Sequence, residues 1–111
     1  MEGVQVGRIV HYVLGANDIE AINRRRMYTT PKEISARIEA GNWPIGAQAH
    51  VGNHAEVADH CAMMIVKVWP DGSINGQVFL DGNDVLWVTS VEYHQPDGIT
   101  KGRTWHWPER S

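Results

Sequence analysis

Hydrophobic and polar positions along this chain change period twice. Val4 to Leu14 reads "VQVGRIVHYVL", rich in β-branched and aromatic residues, and Gly15 closes it, which predicts a strand of mixed alternation. A helical period follows in "NDIEAINRRRM". There Asn17 and Glu20 have the spacing of a capping box, and Ile19 and Ile22 share a face. The next segment, "TTPKEISARIEAGN", repeats the signal: Thr30 as cap, Pro31 at the first helical position, Glu33 completing the box, and Gly41 as stop. Ile34 and Ile38 lie one turn apart on that segment. The pattern predicts two short helices, or one broken near Pro31, over about 17–40.

Beyond Trp43-Pro44 the texture is strand-like. "AQAHV" (Ala47 to Val51) is a short candidate, and "CAMMIVKVW" (Cys61 to Trp69) is the most apolar run, the natural central strand. "PDG" (Pro70 to Gly72) is a turn: proline presets φ and glycine accepts a positive one. "SINGQVFLD" (Ser73 to Asp81) then pairs back, "DGND" (Asp81 to Asp84) turns again, and "VLWVTSVEYH" (Val85 to His94) returns as the third strand of an antiparallel meander. With Val4–Leu14 and Ala47–Val51 the expected count is about five. Short, strongly twisted strands in that number close into a small barrel. The expected fold is therefore α+β and mainly β: a small SH3-like barrel, or a strongly bent antiparallel sheet, with a helical insertion after strand one.

Composition narrows this little. A chain of 111 residues, 42% hydrophobic and 21% charged, is expected to form one soluble globular domain over 1–111. A formal charge of −3 disfavours binding to duplex nucleic acid, whose affinity rests on a basic excess. No apolar run is long enough to span a bilayer, and Met1 opens no basic-plus-apolar leader, so no membrane partner is expected. A single cysteine, Cys61, forms no internal disulfide, and the cytoplasm is the expected compartment.

Candidate chemistry is sparse. Six histidines invite a metal reading through His50, His54 and the His60-Cys61 pair, yet these fall across a predicted turn and no CxxC or HExxH accompanies them. No metal and no cofactor is expected, and a metal-dependent activity through the histidines is only a minor alternative. Cys61 opens the most apolar strand, where cysteine is usually a small buried hydrophobe, and Ser73 and Ser90 lack a nucleophile elbow. Asp71, Asp81 and Asp84 sit in turns, and no GxGxxG or P-loop occurs. What remains is "INRRR" (Ile22 to Arg26) and "TWHWPER". Arg24 at four residues from Glu20 suits a solvated helix pair, but arginine is also a planar fork for phosphate. On an extended strand Trp105 and Trp107 share one face and His106 takes the other, so the tryptophans cover either this barrel's core or a neighbour's pocket.

The runs "GRIVHYVL", "INRRR", "INGQVFLDGNDVLWVTSV" and "TWHWPER" resemble a family of small uncharacterised proteins of tailed phages and prophages. The resemblance implies the cytoplasm of an infected or lysogenic bacterial host. It also implies, by class analogy, a non-enzymatic homo-oligomer that counters antiphage defence by sequestering a small anionic ligand, with a cyclic or other signalling nucleotide favoured. Arg8, Arg24 and Arg25 would then contact phosphate, Asn75 would read a base edge, and Trp105, His106 and Trp107 would wall the pocket. The alternative is a protein-interaction or virion-accessory module with no small-molecule ligand.

Overall fold

A computed structural model describes residues 3–25, 39, 41, 52–95 and 101–108. The described chain is a closed five-stranded barrel, β1 (Ile9–Val13), β2 (His60–Val68), β3 (Ile74–Phe79), β4 (Val85–Tyr93) and β5 (Thr104–His106), with one helix, α1 (Ala16–Arg25), directly after β1. The expected small SH3-like barrel with a helical insertion is the fold observed. The meander β2–β3–β4 and both of its turns fall where the sequence puts them. In the first turn the Gly72 N–H donates to the Trp69 carbonyl at 3.0 Å, and Gly72 carries a φ of 90° that a side chain would disfavour.

The fifth strand differs from expectation. Ala47–Val51 lies outside the described residues, as does most of the second helical segment after Thr30. The strand that completes the barrel is instead β5, pairing antiparallel with β1 (Tyr12 opposite Trp105) and parallel with β4 (Tyr93 opposite Trp105). One parallel pairing is unavoidable here, because strand directions cannot alternate around a closed ring with an odd number of members. The capping pattern differs too. α1 begins at Ala16, so the box residue is Asp18 rather than Glu20: the Gly15 N–H donates to Asp18 Oδ2 at 2.9 Å.

The core fills the barrel with alternate residues of every strand: Val10, Tyr12, Met63, Ile65, Ile74, Val78, Val88, Val91 and Trp105, with Leu14 and Ile22 closing the end beside α1. β4 carries an extra residue opposite Asn75, with Ser90 at a φ of 53°, and this bulge keeps both Val88 and Val91 inward. The chain enters β5 past Gly15. A Cβ placed on Gly102 would stand 2.8 Å from the Gly15 Cα, a backbone atom with nowhere to go. Gly102→Ala is therefore expected to cost about 1–3 kcal/mol, read as a lower urea midpoint, because overpacking against backbone relaxes poorly.

One buried polar group sits in this core. The Tyr12 hydroxyl donates to Asp18 Oδ2 at 2.6 Å, and burial first, then that carboxylate, push the phenol well above the ordinary tyrosine value. The folded chain thus keeps a proton that the unfolded chain releases above about pH 10. Stability is full below that pH and falls as pH rises beyond it. Urea midpoints at pH 8.5 and 10.5 should diverge in the native sequence and converge in Tyr12→Phe. Among the described residues no helix is long and apolar enough to cross a membrane.

Candidate functional sites

Two features stand out on the barrel. The first is a cleft of about 540 Å³ between the β2–β3 turn, the end of β4 and Val4. Its size is that of a ligand site. Trp105 lines it from the core, and its indole N–H has no acceptor among the described residues. Trp69 and Tyr93, 40% and 37% exposed, contribute aromatic surface, and Asp71 and Glu92 contribute carboxylates. No lysine, arginine or histidine is among the described lining residues. The Ser73 side-chain and backbone donors both reach Asp71 Oδ1, at 2.7 and 2.9 Å, and hold its carboxyl below the usual aspartate range. That carboxylate stays charged to lower pH than an ordinary aspartate.

The cleft owes its shape to Asn75. The Asn75 side-chain oxygen accepts from the Trp69 indole N–H and from the Ser90 backbone N–H, each at 2.9 Å. It thereby ties Trp69 to the β4 bulge. Asn75 is buried and its oxygen is committed to these two donors, which gives it a positioning place in the barrel. Asn75→Ala leaves both donors without this acceptor and is expected to cost about 1–3 kcal/mol. It should also free Trp69, seen as a red shift in tryptophan emission.

The remaining residues singled out in the sequence do not gather into one pocket with it. Arg24 pairs with Glu20 at 2.7 Å on the exposed face of α1, the solvated helix pair that the four-residue spacing suggests. Arg25 turns the other way. It donates to the Val85 carbonyl at 3.1 Å and to the buried Asp84 carboxylate at 3.3 Å, fastening α1 to the β3–β4 turn. Arg8 lies over the Trp107 ring, 5.3 Å from its centroid. Trp107 is half-buried and packs edge-on against Trp105 at 5.4 Å, so these two do share a face as the alternation requires. Of the seven ligand candidates only Trp105 borders the cleft.

His106 takes the opposite face and enters the second feature. His11 sits directly across from it on β1, and His60, opposite Val13 on β2, is the diagonal neighbour on the same outer face. The rings meet edge to face, His11 to His106 at 5.6 Å and His60 to His106 at 5.0 Å, and one nitrogen of each lies within 4.8 Å of the others. His106 is buried, His11 half-buried and His60 exposed. Sequence spacing drew attention to His50 and His54 as companions of His60. His50 lies outside the described residues, and His54 is an exposed loop residue beside Asn53 and Asp81, apart from this trio. The signal for the actual grouping was present but indirect: His11 and His106 each stand between two apolar residues of a strand, on the face those neighbours leave. Only the β1–β5 pairing joins them.

Comparison with protein-family models, with curated proteins and with solved structures returns no match to this chain.

Proposed function

We propose that this barrel is a non-enzymatic binding module whose working surface is the aromatic and acidic cleft, and whose ligand is a lysine- or arginine-bearing segment of a partner protein. One observation carries this reading: Trp69 and Tyr93 flank the same opening as Asp71 and Glu92, and a basic group beside them, the Lys67 ammonium 5.0 Å over the Trp69 ring, shows that ring already holding a cation. Aromatic faces attract cations through their quadrupole, and carboxylates add a charge that selects a cation over an anion. Exposed aromatic ridges on a small barrel also suit an extended backbone, which needs few ordered contacts to dock. An anion in this cleft would face two carboxylates. The nucleotide-binding expectation rests on arginines, and here they are engaged with Glu20, Asp84 and Trp107.

Titrating the protein with an arginine- and proline-containing peptide, a neutral analogue and a cyclic dinucleotide, followed by tryptophan emission, tests the proposal. The basic peptide is expected to bind with micromolar affinity that weakens with salt. Asp71→Asn combined with Glu92→Gln should weaken it about tenfold and flatten the salt dependence. Equal binding of the neutral peptide, or binding of the dinucleotide alone, would sink the reading.

Self-association is a second reading, and a separate observation favours it. Ile9, Met64, Val66, Phe79, Val85 and Trp87 are all exposed on the outer face of β1 to β4, with Trp87 62% accessible. Register places Ile9 beside Met64 and Phe79 beside Val85, two apolar pairs with Gln77 between Met64 and Trp87. A surface of that kind suits a contact between copies of the chain. Sedimentation should then show an oligomer that Trp87→Glu dissociates without unfolding; a monomeric native protein removes this reading.

A further inference from the structure

We propose that His11, His60 and His106 bind one first-row divalent cation, with Zn²⁺ as the ion to test, at the seam where the barrel closes. The inference is independent of the cleft, since none of the three histidines lines it. Three imidazoles from three adjacent strands already converge, with one nitrogen of each within 4.8 Å of the others. Tetrahedral coordination at 2.0–2.1 Å per nitrogen places ligand atoms about 3.3 Å apart. Closing the difference takes side-chain rotation of the two less buried rings. His60 is exposed and His11 half-buried, so both have room, while buried His106 supplies the fixed ligand.

The donor set chooses the ion class. Imidazole nitrogen suits zinc, copper and nickel, whereas calcium and magnesium require oxygen ligands that this group lacks. Three protein ligands leave a fourth position. Because His60 is exposed, that position opens toward solvent and takes water or a small exchangeable ligand.

The location gives the ion a structural consequence. β5 is 3 residues long and meets β4 at the Glu92–Thr104 and Tyr93–Trp105 pairs, with the His94 N–H donating to the Trp105 carbonyl just beyond. It is the shortest strand and the one that makes the ring complete. An ion held by His106 on β5, His11 on β1 and His60 on β2 ties three neighbouring strands across that seam. Any ligand that binds the folded chain alone raises its stability in proportion to the logarithm of ligand excess over Kd.

The test uses the full chain without an affinity tag, stripped with a chelator and then titrated with Zn²⁺ by calorimetry and in thermal melts. The native sequence is expected to take up one equivalent and to melt at a higher temperature when loaded. His60→Gln should bind at least tenfold more weakly and lose the rise in Tm, and His11→Gln should do the same. His54→Gln should behave as the native chain. His60 is exposed, so its replacement keeps the test valid even if His106→Gln fails to fold. The proposal is overturned if the native chain takes up no stoichiometric zinc. It is equally overturned if His60→Gln and His11→Gln bind as well as the native chain, or if uptake depends on His54.

Discussion

Trp105→Ala is expected to be the most damaging single truncation in this barrel. The side chain is 1% exposed, the largest fully buried one among the described residues, and it packs against Tyr93 at 5.0 Å and Trp107 at 5.4 Å. Truncating a buried tryptophan costs about 3–5 kcal/mol, part transfer and part cavity. A domain of this size has roughly 5–15 kcal/mol in total. The loss is worse here because Trp105 is the middle residue of β5 and the one member of that strand in the hydrophobic core, Thr104 and His106 being buried on the opposite face. With the indole gone, the closing strand keeps its backbone pairing but loses its side chain in the core. Urea unfolding followed by near-UV circular dichroism should show a midpoint lowered by about a third or more, or no folded baseline. Trp107→Ala should be much milder, about 1–2 kcal/mol, because that ring is half-buried and rests over Arg8. A Trp105→Ala protein that unfolds within 1 kcal/mol of the native chain, a margin small against the usual cost of truncating a buried tryptophan, would contradict the placement of β5.

Asp18→Ala should be the next most damaging change, at about 2–4 kcal/mol. Asp18 Oδ2 accepts from the Tyr12 hydroxyl at 2.6 Å and from the Gly15 N–H at 2.9 Å, so alanine strands two buried donors at once. Each unsatisfied donor carries a desolvation cost of about 1–3 kcal/mol, and the helix also loses its cap. The exposed Arg103 guanidinium, 3.9 Å from the other carboxylate oxygen, adds little in solvent. Asp18→Asn retains an acceptor and should cost less. The informative experiment is the cycle with Tyr12→Phe: the double variant should recover about 1 kcal/mol of the sum of the singles, because the stranded hydroxyl is gone. Strict additivity would mean that the two side chains do not act as a pair.

The meander was legible because its signals are local. Pro70 and Gly72 set one turn by their own backbone preferences, and the apolar run from Cys61 identifies β2 without reference to any partner. The first helix is legible as an element, but the expected cap, Asn17 with Glu20, stands two residues after the observed one, Gly15 with Asp18, because Asn17 is the stronger capping residue type. Asp18 takes the role through its hydrogen bond to Gly15 and through Tyr12, a residue on the preceding strand. The candidate ligand residues fared differently again. Arginine, asparagine and tryptophan have strong chemical preferences, and the sequence states them correctly. It does not state which partners satisfy them inside the fold. Asp84 engages Arg25, and Trp69 and Ser90 engage Asn75.

By itself the chain's pattern of apolar residues and turns determined a small β barrel with a helix after its first strand, because strand period, turn chemistry and helix propensity act over a few residues. Tertiary structure alone decided that β5 closes the ring, that Trp105 belongs to the core, that Trp69 and Tyr93 share a cleft with two carboxylates, and that three histidines meet. His11, His60 and His106 are separated by tens of residues. Their proximity follows from barrel closure, which brings the first and last strands side by side, and no local preference encodes it.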